Sequence, residues 1–320
     1  MVLVQQRRTA SISRLLKALI FADLMSYLSH RRLIVLVTSL MLTTGCIRAW
    51  QHVPLSHAVM SGSDSINTVT NGLLPGTHQN LPSRTKVFAG QLVIHADFPL
   101  TQQHRLIRNL ETLRTRVSQH LDLPISDEPV HLYLFEDSDH YDKFLAHQFP
   151  NFPARRAFFV ETDTTLSVYA AWQDRIAEDL RHETTHGYVH AVVPTVPLWL
   201  DEGIAEYFEL PTSEQGLHEE HVAHLNGRLL EGTWQPNIDA LERLSSPGEM
   251  SQDHYAESWC WVHWMLTTTP ERKKILQDYL TDLRRDGRTA PLTVRLVRSE
   301  GSLSHCASSV KAHTKSLLER

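Results

Sequence analysis

Residues 182–186 read His-Glu-Thr-Thr-His, and this spacing constrains the chain more than any other feature of its sequence. In a helix, residues four positions apart lie about 40° apart around the axis and about 6 Å apart along it. The imidazoles of His182 and His186 then project from one face, where they can share a tetrahedral zinc ion. Glu183 projects beside them, where it can take a proton from a water at the metal. The pattern predicts two metal ligands and a general base on one helix.

The flanking residues favour a helix over this segment. We expect Asp174 to cap its start, Ile176 and Leu180 to form its apolar face, and Pro194 to end it. Gly187 directly follows the second histidine, and its missing side chain allows another segment to approach closely.

A second segment, residues 197–209 (PLWLDEGIAEYFE), supplies a third candidate ligand. Pro197 begins a predicted helix and Pro211 stops it. Glu202 follows His186 by 16 positions, so a short turn can bring the two helices together. Three protein ligands with an open fourth position are what a catalytic zinc ion needs. We expect Gly203 to remove bulk beside the metal.

Glu206 lies about one helical turn after Glu202, and two roles are open for it. It can accept the free N–H of a ligand histidine and thereby orient the ring. It can also be the third ligand itself, at a longer spacing. The Asp-Glu-Gly sequence at residues 201–203 favours Glu202 as the ligand and Glu206 as the orienting carboxylate.

These two segments resemble the gluzincin metallopeptidases, and most closely the peptidase MA-like families of bacterial exported proteins. The likeness is strong over residues 179–209, where RHETTHGYVH is followed by a W-L-x-E-G-x-A-E-Y phrase at residues 199–207. The resemblance implies a peptidase with one Zn²⁺ per chain and a peptide or protein substrate. By analogy His182, His186 and Glu202 are the ligands, and Glu183 is the general base. The ligand spacing is shorter than in thermolysin and the large aminopeptidases.

The resemblance also implies a donor for the oxyanion in the downstream helical part. Tyr255 matches the tyrosine that similar families carry at the start of a helix such as the one predicted over residues 254–266. A core aromatic is the alternative for Tyr255, and His254 is a second candidate donor. The strand predicted over Thr165–Ala171 is implied to be an edge strand that pairs with an extended peptide substrate.

Three further histidines follow at intervals of three residues: His218, His221 and His224. Across the three, this spacing drifts by about 120° around a helix. We therefore expect a solvated helix face here and no metal site.

The N-terminal residues are typical of an export signal. A basic His-Arg-Arg sequence at residues 30–32 precedes the apolar run of residues 33–44, and Gly45 and Cys46 follow. We interpret residues 1–46 as a lipoprotein-type leader, with Met25 as an alternative start and Cys46 as the lipidated residue. A signal anchor, or a cleaved signal without lipid, is the alternative. Residues 47–85 read as a flexible tether, so the protein is expected in the cell envelope, facing the periplasm or the exterior.

The remaining sequence predicts an α+β fold. Strands are expected over residues 91–98, 130–135, 157–161 and 165–171, and a short helix over residues 137–147. A longer helix capped by Thr101 carries an apolar face, formed by Leu106, Leu110, Leu113, Val117 and Leu121. We divide this part into an α+β domain with a small mixed sheet packed on helices, residues 86–215, and a helical C-terminal lobe, residues 216–320.

Composition excludes some classes of protein. The formal net charge is −5, which argues against a nucleic-acid partner. Three cysteines do not form a disulfide framework. Cys260 and Cys306 could form a bridge in an exported compartment or remain two separate buried thiols.

The sequence thus predicts a zinc-dependent hydrolase, a gluzincin-type peptidase that cleaves amide bonds. Two alternatives stay open. One is an exported zinc-binding lipoprotein without catalytic activity, and the other is a metallohydrolase of non-peptide amides or esters, because metal chemistry alone does not fix the substrate.

Overall fold

A computed structural model describes residues 35–36, 81–150 and 155–319 of the chain. Cys46, most of the predicted leader and residues 47–80 of the predicted tether lie outside the described residues. The strands are β1 (Val35–Leu36), β2 (Thr85–Ala89), β3 (Leu92–Ala96), β4 (Val130–Phe135), β5 (Ala157–Glu161) and β6 (Leu166–Ala171).

Ten α-helices and two short 3₁₀ helices lie in the described part of the chain. The α-helices are α1 (Arg105–Leu121), α2 (Ser138–Gln148), α3 (Ile176–His190), α4 (Leu198–Phe208), α5 (Glu219–Leu230), α6 (Ile238–Leu241), α7 (Gln252–Thr267), α8 (Pro270–Asp286), α9 (Leu292–Glu300) and α10 (Leu303–Leu317). The 3₁₀ helices cover Thr212–Glu214 and Pro247–Glu249. The predicted α+β class, with a mainly helical C-terminal part, is confirmed.

Strands β2 to β6 form an open mixed sheet in the order β5-β6-β4-β3-β2. β2 and β3 form an antiparallel hairpin, β3, β4 and β6 run parallel, and β5 is antiparallel to β6. β6 is therefore paired on both sides. The expectation that Thr165–Ala171 is an edge strand is wrong, because β4 and β5 already take the hydrogen bonds that a substrate would need.

Helices pack against both faces of the sheet. On one face, α2 packs into an aromatic cluster that includes Phe135, Phe144, Phe158 and Tyr169. On the other, α3 packs against β4, β5 and β6 and against α1. All five apolar positions predicted for the longer helix are buried in α1, so this helix face is confirmed.

Local chemistry explains where the first two helices start. The predicted cap at Thr101 is wrong. A turn, in which the carbonyl of Thr101 accepts from the N–H of His104 at 3.0 Å, precedes α1, and His104 caps the helix by accepting from the N–H of Leu106. Asp137 caps α2 by accepting from the N–H of His140 at 2.8 Å. Strand β2 was not predicted, because its sequence lies at the boundary assigned to the tether.

Helix α7 is the centre of the C-terminal part and packs against α4, α5, α8 and α10. Cys260 on α7 and Cys306 on α10 are free, buried thiols, which decides between the two alternatives left open for them. The Sγ of Cys260 lies 3.1 Å from Oγ1 of Thr314. None of the helices in the described ranges combines the length and the apolar character that crossing a membrane requires.

Candidate metal centre

Helix α3 carries the His-Glu-Thr-Thr-His sequence in the middle of the molecule. Every residue from Asp179 to His190 is buried. The helix starts after Arg175, whose backbone is left-handed (φ 69°) and which makes no side-chain cap, so the predicted cap at Asp174 is wrong. Glu178 and Asp179 lie in the first turn, where negative charge suits the helix dipole.

Two glycines allow other elements to pack closely against the two helices of this centre. A Cβ on Gly187 would lie 2.7 Å from Cγ1 of Val130, so the predicted close approach is confirmed, and the neighbour is strand β4. A Cβ on Gly203 would lie 2.5 Å from the backbone oxygen of Ser258. Gly203 thus permits α4 to pack on α7. The expectation that it removes bulk beside the metal is wrong.

Three candidate ligands converge between α3 and α4. Oε2 of Glu202 lies 3.5 Å from Nε2 of His182 and 3.9 Å from Nε2 of His186. Ligand atoms around a tetrahedral zinc ion lie about 3.3 Å apart when each bond is 2.0–2.1 Å long. Of the two carboxylates considered from sequence, Glu202 is the one that groups with both motif histidines.

The polar atoms of this group lack protein partners. Nε2 of His182, Nε2 of His186 and both carboxylate oxygens of Glu202 are buried and accept or donate no hydrogen bond within the described part of the chain. Buried polar groups without partners are rare, because each costs the free energy of its lost hydration. Burial also raises the pKa of Glu202. These buried groups could bind a metal ion, and their donor set of two imidazoles and one carboxylate fits Zn²⁺.

The other ring nitrogen of His186 faces a buried chain of charged groups. Its Nδ1 lies 3.1 Å from Oδ2 of Asp201, which lies 3.0 Å from Nε2 of His190. Nδ1 of His190 lies 2.7 Å from Oε2 of Glu161, at the end of β5. Burial alone would lower the pKa of His190, but Asp201 and Glu161 outweigh it and raise this pKa to about 10. The ring of Phe159 lies beside that of His186, with centroids 5.9 Å apart.

Glu209 holds the other ring nitrogen of His182. Its Oε2 lies 2.7 Å from Nδ1 of His182, and its backbone carbonyl accepts a hydrogen bond from Arg181. A carboxylate on the far side of a ligand histidine fixes the tautomer and orientation of the ring. That role was predicted for Glu206. In the structure Glu209 and Asp201 make these contacts, while Oε2 of Glu206 lies 2.9 Å from Nε2 of His221.

Glu183 and Tyr255 are both buried, and each interacts electrostatically with a candidate ligand: Glu183 with His182, and Tyr255 with Glu202. Burial raises the pKa of Tyr255 well above its ordinary value, and a hydrogen bond with Arg155 opposes the rise. Tyr255 is thus a buried aromatic of α7 that interacts electrostatically with Glu202 and Arg155. His254 instead serves the N-terminus of α7, where Nδ1 lies 3.1 Å from the backbone nitrogen of Ser251.

A second group of candidate ligands adjoins the first, and sequence reasoning missed it. His218 and His221, at the start of α5, are 4% and 8% exposed, so the predicted solvated face is wrong for both. Together with Glu206 they place ligand atoms within 4.8 Å of one another. The sequence contains no pattern that predicts this group, because the two histidines meet Glu206 only in the folded chain. His224 is half-buried and lies 2.6 Å from Asp253, apart from the group.

A comparison with protein-family models finds one segment of likeness. A family described as "Protein of unknown function (DUF1570)" matches residues 176–287, a little over a third of the 320 residues. The matched segment begins with α3 and contains every member of the candidate ligand groups, including Glu209, which lies close enough to His182 and Glu206 to form a third group with them. No curated protein matches the chain.

Proposed function

We propose that this protein is a zinc-dependent hydrolase, a gluzincin-type peptidase whose metal is held by His182, His186 and Glu202. The observation that supports this most is the convergence of both Nε2 atoms on a Glu202 carboxylate with no other hydrogen-bonding partner in the described residues. Three protein ligands leave the fourth position of a tetrahedral zinc ion open, as catalysis requires. The order of the two motifs, a His-Glu-x-x-His helix followed by a helix with an Asp-Glu-Gly sequence, resembles that of gluzincins and supports the same reaction.

Bound Zn²⁺ would polarise the scissile carbonyl and increase the acidity of the attacking water. Glu183 accepts the proton of that water on its carboxylate and later delivers it to the leaving amine nitrogen. Tyr255 donates its hydroxyl proton in a hydrogen bond to the oxyanion that develops on the substrate. Glu209 and Asp201 hold the two ligand rings in place, so that both Nε2 lone pairs face the same point.

The decisive test compares Glu183→Gln with Glu202→Ala in the purified full chain. We expect Glu183→Gln to keep the zinc content of the wild type and to lose turnover of a peptide library. Glu202→Ala should lose or strongly weaken zinc at this centre. Glu178→Gln is the matched control, because Glu178 lies in the first turn of the same helix and pairs with Arg175. Full activity of Glu183→Gln would contradict the mechanism.

We propose further that the chain is exported and lipidated at Cys46. The apolar run of residues 33–44, followed by Gly45 and Cys46, supports this. Cells that express the full chain should incorporate labelled palmitate into it, and Cys46→Ser should lose both the label and membrane association. Cys306→Ser is the control, because this buried thiol lies in the folded part. Equal labelling of Cys46→Ser would contradict the proposal.

A further inference from the structure

The second group of candidate ligands lies where α5 begins and α4 ends. Nε2 of His221 lies 2.9 Å from Oε2 of Glu206, and Nε2 of His218 lies 3.6 Å from the same oxygen. These separations bracket the value of about 3.3 Å expected between ligands of a tetrahedral zinc ion. The rings of His218 and His221 stack with centroids 3.8 Å apart, so binding one ion through both Nε2 atoms requires the two rings to turn apart.

Two carboxylates are buried at this place. Glu206 and Glu209 are 2% and 1% exposed, and a buried carboxylate needs a compensating positive charge. Within the described ranges, the ion-pair partners of both carboxylates are histidines: His218 and His221 for Glu206, and His182 and His218 for Glu209.

Protonated histidines would supply this charge only at a cost. Two imidazolium ions stacked 3.8 Å apart would repel each other in a buried environment. One divalent cation between the two rings would provide positive charge without this repulsion.

We propose that Glu206, His218 and His221 form a second Zn²⁺ site, separate from the His182-His186-Glu202 centre. Coordination through Nε2 of His218 leaves the ring proton on Nδ1. Nδ1 then no longer accepts from the N–H of His221, a contact that at 3.4 Å is longer than an ordinary hydrogen bond, and the ring turns its Nδ1–H away from that N–H.

Glu209 links the two sites. Its Oε2 contacts His182 of the first site, and its Oε1 lies 3.0 Å from Nε2 of His218. Once His218 coordinates the second ion, Oε1 of Glu209 lies beside that ion, and Oε2 still holds the ring of His182. The second ion therefore stabilises the end of α4 that orients a ligand of the first site.

The test is metal stoichiometry of the purified full chain, loaded with Zn²⁺ alone and measured by mass spectrometry of the metal. We expect two zinc ions per wild-type chain, one in His221→Gln, one in Glu202→Gln and none in the double variant. His224→Gln is the matched control, because it lies on the same helix, pairs with Asp253 and should keep two. Co²⁺ titration of the wild type should show two saturating phases, which tests the proposal without any variant.

The outcomes separate this inference from the proposed function. One zinc ion per chain that is lost in Glu202→Gln and kept in His221→Gln overturns the second site and leaves the peptidase proposal standing. One ion that is lost in His221→Gln and kept in Glu202→Gln overturns the peptidase proposal and supports the second site. A wild type that binds no zinc overturns both.

Discussion

Oε2 of Glu209 lies 2.7 Å from Nδ1 of His182, between residues that are 27 positions apart in the sequence. Burial alone would raise the pKa of Glu209, but hydrogen bonds from His182 and His218 hold it below its ordinary value. Glu209 is thus an ionised carboxylate at the far side of a candidate metal ligand, which is the arrangement that strengthens and orients a coordinating imidazole.

We expect Glu209→Gln to weaken zinc binding at the first centre by about 10–100-fold, because the amide holds the His182 ring less firmly and makes it less basic. The measurement is competition with a chromophoric chelator, in a chain that also carries His221→Gln so that one centre is observed. Glu214→Gln, on an exposed 3₁₀ helix, is the control and should leave the affinity unchanged. An unchanged affinity in Glu209→Gln would show that this contact does not support the metal.

We expect Tyr255→Phe to lower kcat by about 10²–10³-fold, the loss typical of one oxyanion donor, with zinc content unchanged. Tyr279→Phe is the control, because Tyr279 is a buried tyrosine of α8. It should leave kcat as in the wild type. If Tyr255→Phe changes only the melting temperature, Tyr255 serves as a core aromatic alone.

Gly203→Ala should destabilise the fold, because its Cβ would lie 2.5 Å from a backbone oxygen of α7 that cannot rotate away. Overpacking of this kind costs about 1–3 kcal/mol. Gly227→Ala on α5 is the opposite case, since no atom lies within 4 Å of the added Cβ, and it should stabilise by about 0.5–1 kcal/mol through helix propensity. Urea unfolding measures the change in the free energy of unfolding for both variants. Equal changes in Gly203→Ala and Gly227→Ala would contradict the packing role of Gly203.

The ion pairs of His190 should make stability depend on pH. Its pKa rises from 6.5 in the unfolded chain to about 10 in the fold, so the stabilisation is fully present below pH 6.5 and is lost as pH rises to 10. The quantity to compare is the difference in free energy of unfolding between the wild type and His190→Gln. It should fall by a few kcal/mol over this pH range, since each unit of pKa shift corresponds to about 1.4 kcal/mol. Urea unfolding at pH 6, 8 and 10 provides the measurement. A difference that does not change with pH would show that His190 is uncharged in the fold.

The sequence determined the helices, strands and spacings on which the first centre depends. An i, i+4 pair of histidines on a helix must share a face, so the arrangement of His182 and His186 follows from local geometry. Alternating and clustered apolar residues likewise predicted the strands Val130–Phe135 and Ala157–Glu161. The observed bounds of both strands equal the predicted ones. The distance from His186 to Glu202 allowed a tight turn between two helices, which brought Glu202 to the centre.

Only the tertiary structure decided which polar residues are buried and what they contact. His218 and His221 follow a spacing typical of a solvated helix face, yet the chain after Pro211 turns back and sets the start of α5 against Glu206 and Glu209. Apolar periodicity indicates which helix face is buried, but the burial of a polar side chain depends on a compensating partner from another helix. For the same reason Asp201 and Glu209, and not Glu206, lie against the rings of the two candidate ligand histidines. The partners of a buried charge are set by packing between helices, which the local sequence does not encode.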